Sequence, residues 1–267
     1  MEASLDYHFG TQLQTHIKTP TSLKIAIIGF GNVAQFLAKA FVSQGHTVLA
    51  HSRSDHSDTA AKLGVSFFSD PHDLCEEHPE VVMLCTSILS TKSVLESIPF
   101  QRLRRSTLFV DVLSVKEFPR SLFLEILPEE FDILCTHPMF GPESGKKGWA
   151  GLPFMYDKRR MQNGGDEPDH DKYAAESQFI THTMGRILER FGFESSSINT
   201  KGYETSLKLM ENTATDSFDL YYVLSMYNSN AMEQLEKLES AFQSLKRELS
   251  GNLQSLYSRQ LFEDEGE

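Results

Sequence analysis

The stretch Leu-Lys-Ile-Ala-Ile-Ile-Gly-Phe-Gly-Asn-Val-Ala, residues 23–34, decides the fold. Its first six residues form an apolar, β-branched run that is typical of a buried parallel strand. A G-x-G-x-x-A turn follows, and helical spacing then runs over 33–43. The first glycine permits a tight turn, the second lets the backbone approach a pyrophosphate, and the alanine allows close helix–strand packing. The pattern predicts a dinucleotide site rather than an empty glycine turn, with contacts from Gly29, Phe30, Gly31, Asn32 and Val33.

Further apolar runs predict six more strands, with helical segments between most of them. They fall at 47–51, 65–68, 81–85, 107–112, 132–136 and 152–156. Strands and helices that alternate at these lengths form βαβ units. Beyond residue 173 the chain is helix-like over 174–191 and about 203–257. We therefore predict an α/β fold, a Rossmann-type doubly wound and mainly parallel sheet followed by an all-helical C-terminal domain.

These patterns divide the chain into five parts. They are a tail at 1–21, a dinucleotide-binding Rossmann domain at 22–157, a polar linker at 158–172, a helical substrate and dimerisation domain at 173–257, and an acidic tail at 258–267. In the helical domain, residues 232–242 carry apolar side chains at three- and four-residue spacing. This amphipathic helix either packs on its own domain or joins two copies, and we expect a homodimer through the C-terminal helices.

The residues at the end of the second predicted strand indicate whether the cofactor is NAD or NADP. Enzymes that use NAD place an acidic residue there to bind the ribose hydroxyls. Here the chain has Arg53 between two serines, and the first carboxylate is Asp55. A guanidinium with flanking hydroxyls suits a 2′-phosphate through charge-assisted hydrogen bonds, although it could also be a solvated loop arginine. We predict NADP, with further contacts from Ser52, Arg53, Ser54, Thr86 and Ser87.

Polar side chains follow the strands on which a substrate is expected to bind. In open α/β sheets, ligands lie beyond the carboxyl ends of the strands. The fifth strand is followed by Ser114, and the sixth leads into His137, which the next proline fixes. A histidine suits proton transfer near neutral pH, and Ser114 would orient either the histidine or a substrate hydroxyl. A lone histidine is more often structural, but the meeting of several strand ends favours a catalytic His137.

The motifs at these strand ends resemble those of a known family. D-V-x-S-V-K at 111–116 and T-H-P-M-F-G-P-E-S-G at 136–145 resemble the TyrA family of prephenate and arogenate dehydrogenases. The segments 170–182, 201–205 and 212–219 resemble its plant branch, and the likeness covers about 22–257. The resemblance implies that a cyclohexadienol is oxidised at its ring hydroxyl, that hydride passes to the nicotinamide, and that the ring carboxylate leaves as CO2.

The resemblance also implies roles for single residues. His137 would accept the proton of the ring hydroxyl, and Ser114 would be its hydrogen-bonding partner. Gln178 and His182, four apart on one helix, match positions that look towards the substrate, and Thr213 is expected to contact it too.

Asp216 matches an acidic position of the plant arogenate enzymes. Its carboxylate would pair with the ammonium of arogenate and would stay unpaired facing the ketone of prephenate. We therefore expect arogenate as the substrate and prephenate as the alternative. A different interpretation is that Asp216 caps a helix, for which Ser217 and Asp219 compete.

The polar segment between Tyr156 and His170 is shorter than the resemblance leads us to expect. A further helix and strand usually stand there, so an edge of the sheet would be exposed. Three hypotheses follow. The chain is an NADP-dependent arogenate dehydrogenase, a catalytically impaired NADP-binding homologue, or a dehydrogenase of another small hydroxyacid. The third has no reason to carry Ser114, His137 and His182 together.

The net charge and the composition of the chain limit the classes of partner and compartment that we expect. A formal charge of -12 and a sequence pI near 5.3 argue against nucleic acid and anionic membranes. Three cysteines show neither CxxC nor metal-ligand spacing, so we expect reduced thiols and no metal site. The first twenty residues contain two carboxylates and no arginine, unlike a transit peptide. As written, the chain is expected in the cytoplasm, with the plastid as the alternative if a longer precursor exists.

Overall fold

The computed structural model describes residues 22–158, 170–214 and 217–263. The strands are β1 Lys24–Ile28, β2 Thr47–His51, β3 Ser66–Phe68, β4 Val81–Leu84, β5 Leu108–Asp111, β6 Asp132–Pro138 and β7 Phe154–Lys158. The helices of the first part are α1 Asn32–Ser43, α2 Ser57–Leu63, α3 Pro71–Glu76, α4 Ile88–Glu96 and α5 Glu117–Ile126. Those of the second part are α6 His170–Ala174, α7 Ile180–Arg190, α8 Lys201–Ala214, α9 Phe218–Met226 and α10 Ala231–Glu263.

The seven strands form one sheet in the order β3-β2-β1-β4-β5-β6-β7. All neighbours run parallel except β7, which is antiparallel to β6. The order reverses between β1 and β4, and a crevice for ligands opens at such a point, beyond the carboxyl ends of the strands. The predicted Rossmann-type sheet with a helical C-terminal part is confirmed.

The sheet is buried on both faces, which explains why its strands are apolar without alternation. On one face Phe109, Phe123 and Leu74 are fully buried under the helices. On the other face Ile27 and Ala34 pack β1 against α1. Ala34 is 1% exposed, because the helix lies too close to the strand for a larger side chain.

The helix-like stretch expected over about 203–257 consists of the three helices α8, α9 and α10. Ser217 is the N-cap of α9, and its hydroxyl accepts a hydrogen bond from Leu220 N at 3.2 Å. Asn228 turns the chain between α9 and α10, where its Oδ1 accepts from Asn230 N at 3.0 Å. These polar side chains satisfy backbone groups at helix ends, so each helix can stop without glycine or proline.

Helices α7 and α8 pack closely at Gly185. A Cβ on Gly185 would overlap the Thr213 hydroxyl and lie 2.8 Å from its Cβ. Thr213 is buried, and its hydroxyl donates to the carbonyl of Leu209 at 2.9 Å. The threonine therefore belongs to a helix–helix contact.

The last helix, α10, leaves the body of the protein. Near its start Ala231 is fully buried, and Leu235 packs against the same cluster. From 241 to 252 every described residue is exposed, including Phe242, Leu245 and Leu249. These three side chains follow helical spacing, so they form one apolar stripe on an exposed helix.

Candidate functional site

The turn after β1 has the geometry of a nicotinamide dinucleotide site. Gly29 has φ +88°, and a Cβ there would lie 2.7 Å from the carbonyl oxygen of Cys85, so this position requires glycine. Gly31 is the N-cap of α1, and a Cβ there would meet no atom within 4 Å. No side chain caps α1 and its first turn holds no acidic residue, so its N–H groups and positive dipole end are available to a phosphate.

The side chain of Phe30 points away from that turn. It is fully buried between α1 and the sheet, 6.4 Å from the ring of Phe67. Its carbonyl oxygen accepts a hydrogen bond from the Gln35 side chain at 2.9 Å. Phe30 therefore supports the turn from inside the core, whereas Val33 lies at the mouth of the cleft described below.

The end of β2 leaves Arg53 exposed. Within the part of the chain that the structure describes, neither a hydrogen bond nor an ion pair holds its guanidinium. The nearby Asp55 carboxylate accepts from Ser57 N at 2.9 Å at the start of α2. This hydrogen bond lowers the pKa of Asp55. The first carboxylate after β2 is thus occupied by the backbone, and the cation beside it is available to an anion.

A cleft of about 1500 Å3 lies between the strand ends and the helical part. One wall carries Thr86 and Ser87 after β4, Ser114 after β5 and His137 at the end of β6. The facing wall carries Gln178, His182, Asn212 and Asp219. The structure therefore brings together residues that lie more than a hundred positions apart in the sequence. Thr213 is absent from the lining of the cleft, and Asp216 lies outside the described residues.

His137 and Ser114 lie at the base of this cleft. His137 is 4% exposed and Ser114 is half-buried. Antiparallel pairing with Met155 of β7 and the following Pro138 fix the backbone of the histidine. The hydrogen bond expected between the Ser114 hydroxyl and the His137 ring stays a prediction. Both side chains line the space that a ligand would occupy.

Gln178 reaches the cleft from an unusual stretch of helix. Residues Ala175–Phe179 form a π-helical turn between α6 and α7, a feature that often occurs at functional sites. The Oε1 atom of Gln178 is buried and has no hydrogen-bond partner among the described residues. A buried amide oxygen without a donor is costly, and a donor on a ligand would satisfy it. His182 lies one turn further along, on the same wall.

Two charged residues that had no predicted role lie beneath the site. Lys116 and Asp171 are buried, and the backbone N–H of Lys116 donates to the Asp171 carboxylate at 2.7 Å. The Lys116 ammonium forms an ion pair with Asp111, whose pKa is raised by burial against the opposing effect of that ammonium. Lys116 belongs to the D-V-x-S-V-K motif, and its place two residues after Ser114 is the signal that points to it.

Cys85 is the thiol nearest the cofactor turn, and it also lines the cleft. Burial raises the pKa of this thiol far above its ordinary value. The residue therefore stays protonated at neutral pH and is a poor nucleophile. Among the described residues, no group of three or more His, Cys, Asp or Glu is arranged to hold a metal ion.

Two family models match parts of the chain. The model described as NADP oxidoreductase coenzyme F420-dependent matches residues 24–115, which include the glycine turn. The model described as TYRAAT1-like, C-terminal domain matches residues 187–261, which cover most of the helical part. In the region that the structure describes, no helix has the length and apolar character needed to span a membrane.

Two plant proteins are similar to nearly the whole chain. Arogenate dehydrogenase 2, chloroplastic, from Arabidopsis thaliana is 57% identical over 98% of this chain and 80% of its own length. Arogenate dehydrogenase 1, chloroplastic, from the same plant is 60% identical over 96% of this chain and 43% of its own length, so the chain spans less than half of that relative. The first alignment has 285 positions, whereas 98% of 267 residues is about 262, so about 23 positions of the relative have no counterpart here.

Solved structures share the fold at low sequence identity. Prephenate dehydrogenase from A. aeolicus, in complex with hydroxyphenyl propionate and NAD+, has a TM-score of 0.69 at 16% identity, over 89% of this chain and 94% of that one. Synechocystis arogenate dehydrogenase has a TM-score of 0.63 at 16% identity, over 91% and 98%. These two likenesses concern the fold alone. The identity to the first plant relative and its coverage go further, because they show that this chain belongs to the plant-type arogenate/prephenate dehydrogenase (TyrA) family.

Proposed function

We propose that this protein catalyses the NADP-dependent oxidative decarboxylation of arogenate to tyrosine. The observation that carries the proposal is that His137, Ser114, Gln178 and His182 line one cleft next to the glycine turn. The names of the two plant relatives, both arogenate dehydrogenases, support the same substrate.

Each side chain of the cleft has a separate role in the proposed reaction. When bound, NADP+ would supply the hydride acceptor; the turn before α1 would hold its phosphates, and Arg53 would hold its 2′-phosphate. His137 takes the proton of the ring hydroxyl while hydride leaves the same carbon, and Ser114 orients that hydroxyl. The bond to the ring carboxylate then breaks, CO2 departs, and its electron pair completes the aromatic ring. The buried base of the cleft keeps water away from these atoms.

Arogenate is favoured over prephenate because of its ammonium group. Asp216 lies outside the described residues, so its support is the resemblance of its sequence position. The competing view, that Asp216 is a helix cap, is weakened because Ser217 is the N-cap of α9. The unpaired Oε1 of Gln178 adds an acceptor on the substrate wall that an ammonium donor would satisfy.

An impaired NADP-binding homologue is the second candidate, and one observation favours it. About 23 positions of the 57% identical relative have no counterpart in this chain. We propose that the deficit falls in the polar linker, next to the end of β7. If the absent residues support the cleft, this protein would bind NADP without turning substrate over.

Turnover with four combinations of substrate and cofactor tests the proposed function. Purified protein is given arogenate or prephenate with NADP+ or NAD+, and formation of the reduced cofactor is followed by absorbance. We expect turnover on arogenate with NADP+ well above the other three. NADP binding by calorimetry without turnover on either substrate would support the impaired homologue. A preference for prephenate, or for NAD+, would contradict the corresponding part of the proposal.

The NADP preference makes Arg53 the residue to change. Arg53→Gln removes the charge that would pair with the 2′-phosphate and leaves the turn intact. Because a charge-assisted hydrogen bond to an anion contributes about 1.5–3 kcal/mol, we expect the KM for NADP+ to rise by roughly 10- to 100-fold. The KM for NAD+, which has no 2′-phosphate, should stay nearly constant. Arg105→Gln is a matched control on an exposed arginine beyond α4, and an equal effect there would contradict the assignment.

A homodimer through the C-terminal helices is also part of the proposal. Its support is the apolar stripe of Phe242, Leu245 and Leu249 on the exposed part of α10. Charged residues would be expected at such positions in a monomer, because exposed apolar stripes favour association. Sedimentation equilibrium measures the mass directly, and a monomer at micromolar concentration would contradict the proposal.

We propose that the protein is located in the plastid, and we base this on the names of its relatives rather than on the composition of its first residues. Both plant relatives are named chloroplastic, which favours the plastid over the cytoplasm expected from the sequence. A fluorescent fusion to the natural protein in plant cells distinguishes the two.

A further inference from the structure

Three buried side chains connect the ends of β5 and β6 beneath the cleft. We call Asp111, Lys116 and Thr136 the strand-end clasp. The Lys116 ammonium donates to Asp111 Oδ1 and, at 2.6 Å, to the carbonyl oxygen of Thr136. The Thr136 hydroxyl donates to the carbonyl oxygen of Asp111 at 2.5 Å. All three residues are almost completely buried, so these bonds are sheltered from water.

The clasp lies directly beside both proposed catalytic residues. The carbonyl of Thr136 belongs to the peptide bond whose nitrogen is that of His137. Ser114 lies in the short loop between Asp111 and Lys116, and both ends of that loop are fixed. At one end Asp111 Oδ1 accepts from Leu113 N at 3.0 Å, and at the other Lys116 N donates to Asp171 at 2.7 Å. A shift of the Lys116 side chain would therefore move the supports of His137 and Ser114 together.

Stability alone is a weak reason for a charged pair at this place. Burial of two charges costs about as much as their attraction returns, and a well-packed apolar pair is often equally stable. The raised pKa of Asp111 reflects that cost. What an ammonium provides here, and an apolar side chain cannot, is two directed bonds to acceptors on two different strands.

We propose that Lys116 is a positioning residue for the dehydrogenase reaction, which holds the His137 peptide and the Ser114 loop at the separation that a ring hydroxyl requires. Lys116 itself is absent from the lining of the cleft, so it acts through these two residues. This inference rests on the proposed function for its kinetic consequence. Its structural consequence, the placement of the His137 ring, can be measured without turnover.

The test compares two pairs of substitutions that each remove one ion pair. Lys116→Met with Asp111→Asn neutralises the clasp without leaving a buried charge, and the asparagine keeps an acceptor for Leu113 N. Lys237→Met with Glu233→Gln removes the exposed pair that joins those residues at 2.7 Å in α10 and serves as the control. For each protein we measure NADP binding, kcat and KM per NADP-binding site, and the 15N-histidine spectrum, in which His137→Asn identifies the His137 signals.

We expect the clasp variant to bind NADP at unchanged stoichiometry and to lose about 100-fold in kcat, because a displacement of about 1 Å at the reacting groups has that effect. The KM for arogenate should change much less, and the His137 ring signals should move while those of His51, at the far side of β1, stay in place. If Lys116 served only the stability of the fold, the clasp variant would contain a smaller fraction of protein that binds NADP, but that fraction would keep its kcat and its His137 signals. Unchanged kcat per binding site and unchanged His137 signals would overturn the proposal.

If the clasp variant fails to bind NADP, a variant with a smaller change tests whether the clasp positions His137. Thr136→Val removes only the hydroxyl that bonds to the Asp111 carbonyl and keeps the ion pair. We expect a several-fold lower kcat and a smaller shift of the His137 signals, and no change in either would overturn the proposal. If the unaltered protein turns over neither substrate, the proposed function fails, and the His137 spectrum alone then decides whether the clasp positions the ring.

Discussion

The His137→Asn protein is expected to bind NADP as the unaltered protein does and to lose about 10²- to 10⁴-fold in kcat/KM for arogenate. The histidine is the proposed acceptor of the ring-hydroxyl proton, and this residue lines the cleft and is only 4% exposed. Asparagine is close in size and polarity, so the fold and the cofactor turn should persist. Without the imidazole, however, no side chain placed at β6 can accept the proton as hydride leaves.

Steady-state kinetics and calorimetric titration with NADP together measure this prediction. His78→Asn is the matched control, because His78 is exposed before the start of β4, at the end of the sheet opposite the cleft. His78 has φ +51°, a conformation that asparagine tolerates, so the control introduces no new backbone strain. A His137→Asn protein that keeps more than about a tenth of the activity would contradict the role of general base.

The parts of the fold that the sequence predicted correctly, and the strand ends on which the candidate site was placed, depend on signals between neighbouring residues. The glycine turn, the strand before it and the helix after it lie within twenty residues, and φ +88° at Gly29 confirms why that glycine is needed. The strand ends that carry Ser114 and His137 were located in the same way, because parallel strands of a doubly wound sheet end at one edge. Topology then brings those residues together without any information about distant contacts.

What the sequence could not predict depends on contacts between distant residues. Asp171 was assigned to a polar linker at 158–172, yet it lies in α6 and its carboxylate binds backbone groups 54 and 55 positions earlier. Nothing near Asp171 in the chain reveals those partners. Ser217 was among the candidate helix caps, whereas the turn at Asn228 was missed for a related reason, since it has neither the glycine nor the proline that usually marks a helix end.

For the residues assigned through the family resemblance, only the structure distinguishes those that line the cleft from those that pack between helices. Gln178 and His182 line the cleft, whereas Thr213 faces Gly185 between two helices. Both kinds of position lie on helices next to the site, and the sequence pattern alone does not say which side of the helix meets the ligand. The π-helical turn adds to this difficulty, because it changes the angular spacing between Asp171 and His182 by a part of a turn.

The Asp171→Ala protein is expected to lose about 2–4 kcal/mol of the free energy of unfolding, because one buried and one partly buried N–H donor would be left without acceptors. The Asp171 carboxylate accepts from Lys116 N at 2.7 Å and from Glu117 N at 2.9 Å, and so caps α5 from a helix of the other part of the chain. Its own carbonyl accepts from the Asn228 side chain at 2.7 Å, which ties the turn before α10 to the same point. The alanine would weaken the contact on which the alignment of the two cleft walls depends.

Urea unfolding of three proteins measures this loss. Asp171→Asn keeps one carbonyl oxygen as acceptor and should lose less than Asp171→Ala. Asp70→Ala is the matched control, because Asp70 caps α3 by accepting from His72 N at 2.8 Å but is exposed, and such a cap contributes about 1 kcal/mol. If Asp171→Ala is destabilised no more than Asp70→Ala, burial adds nothing to the cap. The Asp171 carboxylate would then not be what holds the helical part against the strand ends, and the KM for arogenate should be unchanged as well.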